Sequence, residues 1–478
     1  MSSTPAPELV VTGGTVVNHD GRRQQDIAIR DGQITAISDS VDATGIPTVD
    51  ARGLLVLPGL VDMHVHLREP GMTEKEDFAS GTAAAAAGGV TTIVDMPNTS
   101  PPVATADRYV HKLDLVRHKA HVDFGLYGML DHDNAEEISV MAELGAMGFK
   151  LFMGQTTGDN RCPNDAAIFR GLEAAAAADL VVGVHAENDH LLRLFGQRLQ
   201  ASGRTDPRAH LEGRPAFVEV EAITRIVTMA TEARVKLHIH HLSTAAGLRR
   251  VMDLRAQGHQ VSIEALVAHL LLDEDAYDAY GNLVKLNPPI RPAADVAELW
   301  AGIGRGDVDI IATDHAPHTA IEQAETDVWK APGGFIGVET MLPLLLTAAS
   351  RGALRIEDIV RLCSYTPARR WSMAKKGQLG VGFDADFVLV DPNTDTVVRG
   401  TTLHSKHPVT PYEGWALRGS VAATYLRGGL IFENGAVVGP PTGRQVRPER
   451  ASTPTTTRYT PPGPAMAGAP RDHATVLV

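Results

Sequence analysis

The chain has 478 residues, 44% of them hydrophobic and 21% charged, a balance ordinary for a soluble globular protein and a length beyond one compact domain. Its 57 acidic and 44 basic residues leave a net charge of −13, which argues against a nucleic-acid surface and fits a cytoplasmic protein. Cys162 and Cys363, the 2 cysteines, cannot build a disulfide framework. No apolar stretch approaches the roughly 20 residues of a membrane span, and residues 1–9 lack the basic start and apolar core of a signal peptide.

In chain order, residues 9–17, 26–30 and 34–37 are short β-type runs punctuated by Gly13-Gly14 and Asp31-Gly32, the second a hairpin signal. They read as a small antiparallel β unit that ends near Ala51-Arg52-Gly53. Residues 54–65 are largely apolar and predict one buried strand. From Pro58 onward, strand and helix alternate. Further strands are expected at 90–96, 121–127, 148–153, 180–185, 235–242, 260–266 and 307–313. Helices are expected at 73–87, 135–144, 165–178, 246–257 and 293–304, with a long helical region at 189–233 broken at 203–215. Eight strands alternating with helices over roughly 260 residues predict an α/β chain folded as a (β/α)8 TIM barrel. A doubly wound open sheet is the alternative, weakened because no G-x-G-x-x-G opens a helix after a strand. β character returns at 377–379, 387–390, 422–426 and 430–432, segments expected to complete the N-terminal unit. From about residue 440 the chain is rich in Pro, Thr and Arg and reads as an extended or disordered tail, or one that packs on a partner subunit.

Chemistry concentrates at the expected strand ends, which converge on one mouth of a barrel. His64 and His66 lie two apart, so on a strand both imidazoles project from one face, where Arg68 and Glu69 begin polar sequence. Such a pair suits a divalent metal such as zinc. Lys150 lies on the fourth strand, His185 ends the fifth, His241 ends the sixth beside His238 and His240, and Asp314 ends the eighth before His315 and His318. Four histidines, one lysine and one aspartate at five strand ends form a two-metal set. A lysine ammonium has no lone pair to offer a cation. Either Lys150 is simply solvated, or its amine takes up carbon dioxide to give an anionic carbamate able to bridge two metals. The apolar neighbours Phe149, Leu151 and Phe152 favour the neutral amine.

These residues carry a resemblance. His64-Val65-His66, Gly148-Phe149-Lys150, Val184-His185-Ala186-Glu187, His238 to Ser243 and Ala312 to His318 resemble the motifs of the cyclic amidohydrolases of the amidohydrolase superfamily, and most closely those of dihydroorotases. The likeness covers nearly everything from Leu9 to about Gly435, and the stretch Gly380 to Val390 resembles the family's return into a β-sandwich. It implies a sandwich from residues 1–57 and 377–439, a barrel at 58–376 and a tail at 440–478. It also implies one metal on His64, His66, carboxylated Lys150 and Asp314, and a second on Lys150, His185 and His241, with His238 and His240 as packing or supporting residues. Two divalent ions, zinc by default, would share a hydroxide. Asp314 would act as general base and then acid on a small cyclic amide. A homodimer or homotetramer is the family expectation. No G-x-S-x-G supports a serine triad instead.

Within the family, Arg68, Asn98 and His318 correspond to residues that bind the carboxylate of dihydroorotate, and Asn287 lies in Asn-Pro-Pro-Ile-Arg, another segment resembling that family. The expected activity is therefore the reversible interconversion of dihydroorotate and N-carbamoyl-L-aspartate in pyrimidine biosynthesis. The alternative is an allantoinase or a hydantoinase of the dihydropyrimidinase type, which residues 72–78, the departure at 265–268 and the long tail favour. A noncatalytic homologue that scaffolds a partner enzyme is a third reading, and the complete ligand set weighs against it.

Overall fold

A computed structural model describes residues 6–156 and 162–449. Eight parallel strands form one sheet in which neighbours in space are neighbours in sequence. They are Leu60–Val65, Val90–Asp95, Asp123–Met129, Gly148–Phe152, Val181–His185, Lys236–Ile239, Val261–Leu266 and Ile310–Ala312. Val65 bridges His315, and the His66 amide donates to the His315 carbonyl at 2.7 Å, which brings the last strand beside the first. The result is a (β/α)8 barrel. Its strands are buried on both faces, which is why they read as continuous apolar runs.

The apolar run 54–65 is two strands, not one. Leu55–Pro58 belongs to the sandwich and Leu60–Val65 to the barrel. The break falls at Gly59, where a Cβ would collide with the Thr91 side chain. A side chain there would force the second barrel strand away from the first.

Both chain ends build the sandwich. One sheet orders Gln33–Ser38, Asp26–Arg30, Leu9–Thr12 and Thr48–Asp50; the other runs from Gly21–Gln24 through Thr15–Asn18, Leu55–Pro58, Phe387–Val397, Ala416–Leu426 and Gly429–Glu433 to Ala436–Val437. Val11, Ile27, Ile34, Val56, Phe387 and Leu389 fill the space between them. The opening unit is not purely antiparallel: Leu9–Thr12 pairs parallel with Thr48–Asp50, and Thr15–Asn18 with Leu55–Pro58. Strands distant in sequence supply those pairs, and local hairpin signals cannot show them.

Three helical pieces after the eighth strand, Met341–Ser350, Ile356–Val360 and Thr366–Arg370, have no counterpart in the expected elements. They deliver Trp371, fully buried, against His238 and Tyr127. Part of the tail is fixed to the barrel: Gly443 donates to Ala120, Phe124 to Arg444 and Val446 to Phe124 at 2.8–3.0 Å. The rest of the tail, 450–478, lies outside the described residues. Among the described residues no helix is long and apolar enough to cross a membrane.

Candidate active site

The first barrel strand places His64 and His66 on one face, and the eighth strand delivers Asp314 to the same point. Asp314 Oδ1 lies 3.3 Å from His64 Nε2 and 3.0 Å from His66 Nε2. The outer nitrogens are held from behind. His64 Nδ1 meets Glu264 Oε1 at 2.5 Å, and His66 Nδ1 meets Asn98 Oδ1 at 2.8 Å. An acceptor on Nδ1 keeps the proton there and turns the Nε2 lone pair towards Asp314.

The fifth and sixth strands supply a second pair. His185 Nδ1 faces His241 Nε2 at 3.1 Å, while Glu187 Oε2 holds His185 Nε2 at 2.9 Å and is itself clamped by Arg214. Burial keeps the His66, His185 and His241 imidazoles neutral, His66 at about 3, and a neutral imidazole is the form that ligates. Burial also pushes the Asp314 carboxyl up, but His64, His66 and Lys150 outweigh it and hold it at about 2. Lys150 is wholly buried, and among the described residues its Nζ has no hydrogen-bond partner. Burial lowers its ammonium to about 8 against the pull of Glu264 and Asp314. Asp314, His241 and Arg68 hold positive φ of 49°, 39° and 63°, a strain of about 1–3 kcal/mol each that recurs where geometry serves function.

His64, His66, Lys150, His185, His241 and Asp314 line one inner pocket of about 20 Å³, with Arg68, Asn98 and Asn287 beside them. The residues fit a metal centre. Ligand atoms of His64, His66 and Asp314 all lie within 4.8 Å of one another, every one buried, and the orphaned Lys150 nitrogen sits on the same wall. A separate acidic group, Asp123, Asp384 and Asp386, already has its cation, because Lys376 Nζ reaches them at 2.6, 3.0 and 2.5 Å.

Three expected substrate residues are engaged by the chain itself. Arg68 Nε donates to the Pro317 carbonyl at 3.0 Å and its Nη2 meets His318 Nε2 at 3.2 Å. His318 is fully buried behind Arg68 and does not line the pocket. The Asn98 amide oxygen serves His66.

Sequence reasoning missed Glu264. Its carboxylate, wholly buried, takes His64 Nδ1 at 2.5 Å and the His241 amide at 3.1 Å, with His238 Nε2 at 3.2 Å and His240 Nδ1 at 3.1 Å close by. Its signal was a lone glutamate inside the apolar run Val261–Leu266. His240 lies against His64, ring centroids 4.5 Å apart, and fits only because position 183 is glycine, where a Cβ would strike its ring.

Comparison with known proteins decides the family: the amidohydrolase family pattern matches residues 55–431. The chain belongs to the amidohydrolase family. An allantoinase of Rubrobacter xylanophilus is 41% identical over 447 residues, 93% of this chain and 98% of that protein. An L-hydantoinase of Paenarthrobacter aurescens is 34% identical over 439 residues, 90% of this chain and 96% of its own. Among solved structures, the L-hydantoinase (dihydropyrimidinase) from Arthrobacter aurescens matches with a TM-score of 0.89 at 33% identity, over 92% of this chain and 99% of that one.

These relatives overturn dihydroorotase and pyrimidine biosynthesis as the expected activity of this amidohydrolase. Proteins similar over about nine-tenths of the chain, at 34–41% identity, are named allantoinase or hydantoinase. Within the chain, the three residues expected to hold the dihydroorotate carboxylate are partly engaged, Arg68 by the Pro317 carbonyl and His318, and Asn98 by His66, and His318 does not line the pocket.

Proposed function

We propose that this amidohydrolase opens the ring of a cyclic ureide of the hydantoin type, with allantoin the first candidate. The observation that carries the reading is the convergence of His64, His66, Asp314, His185, His241 and Lys150 on one buried pocket, in a chain 41% identical to an allantoinase. Hydantoins carry no ring carboxylate, which agrees with an Arg68 held by its own chain.

His64, His66, Lys150 and Asp314 would hold one divalent ion and Lys150, His185 and His241 a second, with zinc the first candidate and Lys150 carrying a carbamate. Such ions supply Lewis acidity that lowers the pKa of water and polarises a carbonyl. The chain's own residues do the rest. His64 and His66 are fixed by Glu264 and Asn98, so the ligand nitrogens need no rearrangement. Asp314, ionised and facing the pocket, accepts the proton of the attacking water and returns it to the ring nitrogen as the carbon–nitrogen bond breaks. Oxygen adds to the ring carbonyl carbon, the amide nitrogen leaves as a ureido NH₂, and the product is an open N-carbamoyl amino acid with a new carboxylate.

The test is steady-state turnover by the metal-loaded protein of allantoin, L- and D-5-substituted hydantoins, dihydrouracil and dihydroorotate. Allantoin, or failing it a 5-substituted hydantoin, is expected to be opened and dihydroorotate left intact. Turnover of dihydrouracil alone, or of none of these rings, would overturn the reading.

A further inference from the structure

The inner pocket, about 20 Å³, has room for roughly one water. It joins a much larger outer cavity of about 430 Å³ through shared walls at Thr156, Asn287 and Gly333. A ring with its reacting carbonyl at Asp314 must extend into that cavity, and an opened product must leave through it.

Lys285 lines the outer cavity. Its Nζ donates to two carbonyls, Val328 at 2.6 Å and Ala331 at 2.5 Å, rather than to a carboxylate. An ammonium has three donors, so one remains. Among the described residues no carboxylate is hydrogen-bonded to it, although Asp327 attracts it from further off. Arg214 is held by Glu187 and by the Gln155 carbonyl. Asp327 is bound to Lys330 at 3.1 Å. Burial keeps His210 neutral, its Nε2 2.7 Å from the Leu286 carbonyl. Burial and Arg214 depress the Lys285 ammonium to about 8, against the pull of Asp327. A mostly buried cation whose hydrogen bonds go only to carbonyls is costly, and an anionic ligand relieves it. Two residues on, Asn287 lines both cavities, and its Oδ1 has no hydrogen-bond partner among the described residues.

We infer that the outer cavity is a carboxylate subsite centred on Lys285, which takes the N-carbamoyl carboxylate released by ring opening. This rests on the proposed ring-opening reaction, which turns an uncharged ring into an anion. Lys285 receives the carboxylate, and Asn287 Oδ1 accepts from the ureido N–H groups. The subsite favours the charged product over the neutral substrate and draws it outward from the inner pocket.

The test is calorimetric binding of allantoate, N-carbamoylglycine and the neutral carboxamide of N-carbamoylglycine to the metal-loaded, full-length protein. Lys285→Met should weaken both carboxylates about tenfold or more and leave the carboxamide unchanged, while Lys285→Arg should stay within about threefold. In the wild type, carboxylate affinity should fall as pH rises beyond about 8, where Lys285 loses its charge. That profile keeps the inference testable if Lys285→Met unfolds the segment whose carbonyls it holds. Equal carboxylate binding by wild type and Lys285→Met would overturn the subsite, as would wild-type binding of carboxamide as tight as carboxylate. Weaker binding of the neutral ring alone would also overturn it, because the cavity would then serve the substrate's arm. Turnover is scored separately: a protein that binds the carboxylates but opens no ring loses only the proposed reaction, and one that opens allantoin with Lys285 immaterial loses only the subsite.

Discussion

Glu264 shows how one side chain can govern a whole site. Its carboxylate reaches His64 Nδ1 and the backbone amide of His241, one residue from each expected ion. Burial opposes its charge, but His240 and His64 hold it ionised, well below the usual carboxylate range. Removing such a partner typically costs about 10–100-fold in metal affinity. Glu264→Gln should therefore weaken metal binding by about that factor while circular dichroism reports an intact fold, and competition with a chelator of known affinity measures it. Unchanged affinity would reduce Glu264 to a packing residue. Glu187 acts likewise on His185, and here the pH dependence has a definite sign. Burial raises its carboxyl, but Arg214 and His185 outweigh that and lower it from 4.5 to about 2. A depressed acid stabilises the fold above its unfolded pKa and ceases to do so as pH falls through the folded one. Stability should therefore drop between about pH 4.5 and 2, and Glu187→Gln should flatten that part of a melting-temperature profile.

At the scale of elements, the strands meet with little tolerance at a few glycines. Gly183 leaves the space that the His240 ring fills, and Gly59 leaves room for Thr91. Overpacking of this kind costs about 1–3 kcal/mol, so Gly183→Ala should lower the melting temperature and loosen His64, against which His240 lies. The convergence of these strand ends was legible in the sequence because alternation places His64 with His66, and because His185, His241 and Asp314 each close or follow an apolar run. Glu264 was not, since a single carboxylate in a strand reads as a break in pattern until its neighbours across the barrel are known. Arg68, Asn98 and His318 were visible as residue types, but their partners within the chain were not. A sequence shows a guanidinium but not the Pro317 carbonyl that holds it. The parallel pairings of the sandwich and the Trp371 plug were illegible for the same reason: distant segments make them.

Across the whole molecule, the two layers are joined by an ionic hub beneath the barrel. Asp123 opens the third barrel strand and Asp386 precedes the sandwich strand Phe387–Val397; both bind Lys376, while Arg427 and the Arg444 amide also reach Asp123. Carboxylates from both layers thus depend on one ammonium, held charged well above its ordinary range because those carboxylates outweigh its burial. Lys376→Met leaves carboxylates buried without their partner, a loss of about 3–5 kcal/mol, and should appear in chemical denaturation as a lower midpoint. A midpoint shift no larger than that of an exposed lysine substitution would show that Arg427 alone holds the hub. In the proposed chemistry one buried set of six side chains both holds metal and opens the ring. Zinc titration of the metal-free protein, with bound zinc and allantoin opening followed together, separates that from either role alone. Turnover should appear as the protein fills to two ions, and Lys150→Ala should neither fill nor turn over. Full turnover by the metal-free protein, or two tightly held ions in Lys150→Ala, would contradict it.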